Sequence, residues 1–332
     1  MAKPAVTVTH WVHPEVEEYL ETFCEPRLAR DRRMRTPSEW LAACEDVEGL
    51  MVFMPDFVDD KILDRCPRLR IVAGALKGYD NFDVDAMARR GVQFTIVPDL
   101  LTIPTAELAV GLTIGIARKF GPGDRDVRSG SFRGWRPTLY GTGLAGSTIG
   151  LLGLGKLGMA YAERIRGFGV TLLGHDRHPP AESEGRCLGL QLAPLDEVLS
   201  RSDIVVVLLP LTEETRYRID ADEIAAMKPG SLLVNVGRGS VVREEAVARS
   251  LEQDHLGGYA ADVFEFEDWA LEDRPLQVLP ELLQNHEQTL FTPHLGSAVD
   301  GVRREIALEA ASQLEQFFSG KTPDHLVRPA KG

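Results

Sequence analysis

Short apolar and β-branched runs alternate along the whole chain with stretches whose apolar residues recur at helical spacing. In the first hundred residues the runs "AVTVTH", "LMVFM", "RIVAGAL" and "VQFTIV" predict strands. Between them, "PEVEEYLETFC" and "SEWLAACEDV" carry a helical period. A second series is stronger: "TIGLLG", "VTLLGHD", "DIVVVLLP", "SLLVNVG", "GYAADVF" and "TLFTPH", with helical segments "DADEIAAMK" and "REEAVARSLEQ" among them. Strands that are apolar at every position must be covered on both faces, and alternation with helices makes them parallel. The pattern therefore predicts an α/β protein with two doubly wound parallel sheets. A long apolar helix in "PTAELAVGLTIGIARKF" joins the two series, and an amphipathic helix in "AVDGVRREIALEAASQLEQFFSG" closes the chain, stopping at Gly320.

Composition narrows the choice of partners. The 332 residues are 44% hydrophobic, enough for two cores, and 37 Lys and Arg face 50 acids for a formal charge of −13. An acidic chain without a basic block is a poor match for nucleic acid or an anionic membrane. The four cysteines, Cys24, Cys44, Cys66 and Cys187, show no metal or disulfide spacing. With no apolar leader or membrane-length run, the expectation is a soluble cytoplasmic protein without a metal.

The clearest chemical motif is "GLGKLG", in which Gly153, Gly155 and Gly158 have GxGxxG spacing between a strand and a helix. Asp176 ends the next strand 18 residues after Gly158. Gly153 and Gly155 would let the backbone turn and approach a pyrophosphate, and Gly158 would let helix and strand pack closely. The helix start at Lys156 and Leu157 offers free N–H groups, with Leu154 in the loop. Asp176 would accept the ribose hydroxyls and repel a 2′-phosphate, so NAD is expected. Arg177 beside it keeps NADP as the weaker alternative.

Ligands bind beyond the carboxyl ends of parallel strands. There the chain places Arg238 after "SLLVNVG", the acids Asp262, Glu265 and Glu267 after "GYAA", and His294 after "TLFTP". Each has an ordinary structural explanation. Together they supply a cation for an anionic substrate, a histidine for proton transfer and a carboxylate to orient it. Lys77, followed by Gly78, is a further isolated cation at the end of "VAGAL".

The strings "PTAELAVGL", "LAGSTIGLLGLGKLG", "LPLTEETRYRIDADEIAAMKPGSLLVNVGRGSVV", "ADVFEFE" and "TPHLGS" resemble the D-2-hydroxyacid dehydrogenase family over essentially the full length. The resemblance implies that Arg238, Glu267 and His294 are catalytic; Glu267 is chosen over Glu265 because the family's acid stands five residues after the Asp of "DVF". It implies a flavodoxin-like substrate domain of residues 1–101 plus 296–332, a Rossmann NAD domain of residues 102–295, and an active-site cleft between them. Thr105, Pro210 and Asp262 fall on the cofactor side, and a homodimer through the long helix after Pro104 is implied. Within the family, "ALKGYDNFDVDA", "FMPDFVD", "GWRPTLYGTGL", "FEFEDWALEDRP" and "TPHLGSAVDGVRREI" resemble the phosphonate (phosphite) dehydrogenases. That likeness implies NAD-dependent oxidation of phosphite to phosphate, with Lys77, Gly78, Met54, Arg238 and Arg303 around the substrate. Trp135, Tyr140 and Ser297 would be supports. Arg243 and Gly237 depart from the expected acid and Cys. Two alternatives stand beside it: an NAD(P)-dependent D-2-hydroxyacid dehydrogenase acting on glyoxylate or hydroxypyruvate, and an NAD(H)-sensing interaction protein of the same fold.

Overall fold

A computed structural model describes residues 2–33, 36–181, 185 and 187–329. The chain divides into two units, residues 1–101 with 298–332, and residues 102–297.

The first unit is built on a six-stranded sheet of β1 (Ala5–Val8), β2 (Glu25–Leu28), β3 (Gly49–Val52), β4 (Ile71–Gly74), β5 (Gln93–Thr95) and β13 (Leu326–Val327). The order is β13-β5-β4-β3-β1-β2, parallel except for β13, which pairs antiparallel with β5. Without β13 this is the flavodoxin-like order, which reverses between β1 and β3. One face is covered by helices Pro37–Cys44, Asp60–Arg65 and Val84–Arg89 around Leu50, Val52, Val72 and Phe94. The other is covered by helix Pro14–Phe23 and helix Asp300–Phe318, whose Ile306, Ala307, Ala310, Ala311 and Leu314 are buried against Val6, Val8, Met51 and Ile71. Small alanines let that last helix lie close to the sheet. Gly320, at φ 80°, ends it as its spacing predicts.

The second unit holds seven parallel strands: β6 (Thr148–Leu152), β7 (Thr171–His175), β8 (Leu190–Leu192), β9 (Ile204–Val207), β10 (Leu232–Asn235), β11 (Gly258–Ala261) and β12 (Thr289–Phe291). Their order is β12-β11-β10-β9-β6-β7-β8, the Rossmann arrangement extended by one strand, with its reversal between β6 and β9. Helices Thr102–Ala117 and Lys156–Ile165 cover one face, and a Thr113–Tyr161 hydroxyl contact of 3.0 Å joins them inside the core. Helices Leu195–Arg201, Ala221–Ala226, Glu244–Glu252 and Pro280–Gln284 cover the other. No helix among the described residues is long and apolar enough to cross a membrane.

Candidate active site

The glycine loop follows β6 and enters helix Lys156–Ile165. Gly153 has φ 101°, a left-handed conformation, and a Cβ there would stand 3.0 Å from the Leu208 carbonyl oxygen. A Cβ on Gly158 would stand 2.1 Å from the Gly153 oxygen, so the helix reaches the strand only because that atom is missing. A Cβ on Gly155 would meet nothing within 4 Å. The first and third glycines are thus required by the chain itself, and the second faces open space at a helix N-terminus. This cradle fits a dinucleotide: the loop ends at the N-terminus of helix Lys156–Ile165, where helix amides point toward an anion. Asp176 accepts from the amide of Leu154 at 2.6 Å and from that of His178 at 2.8 Å, which fixes its carboxylate at the end of β7. Arg177 is ion-paired with Glu214. Pro210 follows β9, and its carbonyl accepts from the Thr215 hydroxyl at 2.7 Å.

Arg238 lies half-buried after β10. Asn235 shapes its turn, accepting from the Gly237 amide at 3.1 Å and donating to the Arg238 carbonyl at 2.9 Å. Gly237, where the sequence pattern leads us to expect Cys, has a physical reason: a Cβ would fall 2.4 Å from the Leu209 oxygen. Beyond Arg238, Gly239 touches the turn after β11 so closely that a Cβ would lie 1.9 Å from the Phe264 carbonyl carbon.

That second turn carries Glu267. One carboxylate oxygen accepts from the Phe264 amide at 2.9 Å, and the other meets His294 Nδ1 at 2.8 Å. An ionised carboxylate only accepts, so Nδ1 carries the proton and Nε2 is left for chemistry. His294 has φ 55°, unusual for a side chain of its size. Asp262 builds the bend that holds it: its side chain accepts from the Thr292 hydroxyl and the Leu295 amide, both at 2.6 Å, and from the Gly296 amide at 2.9 Å. Burial pushes the Asp262 carboxyl above its ordinary range, against the pull of those donors. Gly296 packs on Thr105, whose hydroxyl oxygen would lie 3.0 Å from an added Cβ.

The structure therefore brings Arg238, Glu267, His294, Asp262 and the glycine loop into one unit. Met54, Lys77, Gly78 and Arg303 lie in the other, all half-buried. Lys77 and Gly78 follow β4, and Asn81 donates to the Met54 carbonyl at 3.3 Å. The Arg303 guanidinium sits 5.6 Å from the Phe53 ring centroid, and burial pushes its pKa below the usual arginine value. Trp135 and Tyr140 are 81% and 72% exposed on the segment after helix Phe120–Arg128, and Ser297 is half-buried.

Sequence reasoning passes over three residues that build this site and sets a fourth aside. Asn235 reads as part of a strand, and Asp268 as one more loop acid, yet Asp268 accepts from the Ser240 amide at 2.6 Å. Glu244 reads as a solvated acid in a helix's first turn but is buried. Glu265 enters the sequence only as a rival to Glu267; it is buried too, and pairs with Glu244. A two-glutamate start to a helix gives no signal of which acid points inward.

Comparison with known proteins bears on the chemistry. Residues 110–296 match the NAD binding domain of the D-isomer specific 2-hydroxyacid dehydrogenases. The glyoxylate reductase of Pyrococcus furiosus is 36% identical over 330 residues, covering 98% of this chain and 95% of that protein. The glyoxylate reductase of Aeropyrum pernix is also 36% identical, over 338 residues, covering 98% and 96%. Among solved structures, the TT0316 protein of Thermus thermophilus superposes with a TM-score of 0.87 at 31% identity, covering 98% of this chain and all of that one. An NADPH-dependent glyoxylate/hydroxypyruvate reductase of Sinorhizobium meliloti superposes with a TM-score of 0.81 at 30% identity, covering 98% of each.

These relatives correct the expected substrate. The likeness to phosphonate dehydrogenases predicts phosphite oxidation, but the full-length relatives at 33–36% identity are glyoxylate reductases. The family resemblance implies the same arginine, glutamate and histidine for either reaction, so the phosphite expectation rests chiefly on Lys77 and its neighbouring strings. A half-buried ammonium meets a carboxylate as readily as a phosphorus oxyanion, and its charge does not choose between them. Two parallel-sheet units, one of them an NAD-binding Rossmann domain, together with these full-length relatives, place the chain in the D-isomer specific 2-hydroxyacid dehydrogenase family.

Proposed function

We propose that the protein reduces a small 2-oxo acid of the glyoxylate or hydroxypyruvate type to the corresponding D-2-hydroxy acid. The observation that carries this reading is the His294–Glu267 pair at 2.8 Å, in the unit that also holds Arg238 and the glycine loop. The names of the relatives support it.

In this reading Arg238 binds the anionic substrate through its planar fork of donors. Glu267 holds His294 in one tautomer. Protonated Nε2 then donates to the carbonyl oxygen as the carbonyl carbon is reduced, and the neutral ring recovers its proton from water. In the reverse direction the same nitrogen removes the hydroxyl proton. A bound nicotinamide supplies the hydride. Its dinucleotide is held by the loop from Gly153 to Gly158 and by Asp176, with Thr105, Pro210 and Asp262 on the cofactor side. We infer a preference for NAD, since Asp176 repels a 2′-phosphate and Arg177 is engaged by Glu214. For the first unit taken by itself, Lys77, Gly78, Met54 and Arg303 are inferred to form an anion-accepting end of the sheet.

The test is oxidation of NADH and NADPH by purified protein with glyoxylate, hydroxypyruvate and pyruvate. NADH-dependent turnover of at least one is expected. Absence of turnover with all three, or NAD⁺ reduction driven by phosphite and by no 2-hydroxy acid, would overturn the reading.

A further inference from the structure

Behind the catalytic groups lies a buried acid pair that the proton-transfer chemistry does not use. Glu244 opens helix Glu244–Glu252, six residues after Arg238, and Glu265 stands two residues before Glu267. The Glu244 amide donates to Glu265 Oε1 at 2.6 Å, and the Glu265 amide donates to Glu244 Oε1 at 2.8 Å. Each acid therefore closes the other's backbone. The same two segments are joined by the Ser240 amide on Asp268 and by the close approach of Gly239 to Phe264. A shift of either segment is passed to the other.

We propose that Glu244 and Glu265 are a positioning pair that locks the Arg238 turn to the Glu267 turn, so that substrate grip and histidine orientation are set together. The proposal rests on the 2-oxo acid reading for its kinetic consequences, not for its geometry. The pair also has a proton to hold. Glu265 Oε2 accepts from the Tyr217 hydroxyl at 3.0 Å, whereas Glu244 Oε2 is buried with no such hydroxyl donor, the Leu279 backbone being the further group beside its carboxyl. Burial first, and the nearby Glu265 and Asp268 carboxylates after it, push Glu244 up to about 7. The other charged or titratable groups facing the pair are Arg243, stacked 3.7 Å over the Tyr217 ring, Glu245 and the buried Tyr259. Below about pH 7 Glu244 is neutral and the pair is closed; above it, two carboxylates confront each other in a buried space.

The experiment uses the full chain as Glu244→Ala and Glu244→Gln, with two readouts. Hydrogen exchange reports on residues 238–243 and 262–268 without any substrate. Steady-state reduction of a 2-oxo acid across pH 5.5–9, about 1.5 to 2 pH units either side of the expected transition, reports on the site. Glu244→Ala should exchange faster in both segments, lower kcat and raise KM, with kcat/KM down about tenfold, the factor one buried hydrogen bond represents. Glu244→Gln keeps the acceptor and is always neutral. It should restore kcat/KM and lessen the decline of wild-type activity above about pH 7, leaving only the part that belongs to the proton His294 must donate. Unchanged exchange and kinetics in Glu244→Ala would overturn the proposal. So would a Gln variant that keeps the wild-type pH profile, which also decides the matter should the Ala variant fail to fold. Wild-type protein inert toward 2-oxo acids would defeat the functional reading alone, since exchange in the variants still tests the lock.

Discussion

His294 occupies a backbone conformation that costs most residues roughly 1 kcal/mol or more. Its amide donates to the carbonyl oxygens of Asp262 and Thr292, at 2.9 and 3.0 Å, and these contacts hold it there. Asn tolerates left-handed backbone better than other non-glycine residues. His294→Asn should therefore keep the fold and cofactor affinity while kcat falls about 10²–10⁴-fold, the usual weight of a positioned acid–base. Stopped-flow kinetics with an NADH fluorescence titration as control checks this. A variant retaining a tenth of wild-type kcat would remove His294 from proton transfer. Asp176 invites a second substitution. Asp176→Ala should move the preference toward NADP and weaken NAD binding as well, because the Leu154 amide loses its acceptor. The ratio of kcat/KM for NADPH over NADH is the measurement, and a ratio unchanged by the substitution would clear Asp176 of any part in cofactor choice. Glu244 also leaves a signature in stability. Its folded pKa, about 7, stands above the ordinary 4.5, so between these values the folded chain holds a proton that the unfolded chain has lost. The resulting stabilisation is complete below about pH 4.5 and is lost as pH rises through about 7. Urea unfolding at pH 5.5 and pH 8.5 should show wild-type protein losing more stability than Glu244→Gln over that interval; equal losses would refute it.

Glycines decide how close the elements come. Adding one methyl at Gly158 or Gly239 puts carbon about 2 Å from backbone atoms that cannot rotate away. Gly158→Ala should push helix Lys156–Ile165 off β6 and cost about 1–3 kcal/mol of stability. NADH affinity should fall in parallel, measured by calorimetry; full affinity would mean that the helix start does not hold the cofactor. Gly158 declares itself in the sequence through its spacing, because a dinucleotide cradle needs its glycines at set positions. Gly239 does not, for the atoms it accommodates come from residue 264. The same division runs through the strands. β6, β9 and β10 are buried on both sides and announce themselves as Val, Ile and Leu runs. The edge strands β2 ("EPRL") and β8 ("LQL") and the two-residue β13 lack such runs, since they are defined by a neighbour's backbone and not by their own side chains. The trio we propose as catalytic is readable as polar residues at strand ends. Its substrate is not: Lys77 advertises a negative partner, and charge alone does not say which one.

At the scale of the molecule, several large apolar side chains stay exposed among the described residues. The long helix Thr102–Ala117, which the family resemblance marks as a subunit contact, spends Ala106, Ala109, Leu112 and Ile116 on its own unit's core. Exposed aromatic and aliphatic side chains gather just after it, at Phe120, Val127, Phe132, Trp135 and Tyr140. A surface of this kind is usually covered by another chain. We infer a homodimer that uses this segment. Light scattering on the eluting protein should give twice 36.6 kDa, and Phe132→Ser with Trp135→Ser should shift it toward one copy. A wild-type mass of one chain at every concentration would rule the dimer out.

The first unit is made from two stretches of chain that flank the second, and this sets a timetable for its birth. Residues 102–297 intervene between β5 and helix Asp300–Phe318, which fills one face of the first unit's core. At roughly 5–20 residues per second, a ribosome needs about 10–40 s to deliver those 196 residues. During that interval Val6, Val8, Met51 and Ile71 have no helix Asp300–Phe318 over them, while the second unit emerges as one uninterrupted stretch able to fold first. Strands made before the second unit are thus finished after it, and they depend longest on whatever shields nascent chains from one another.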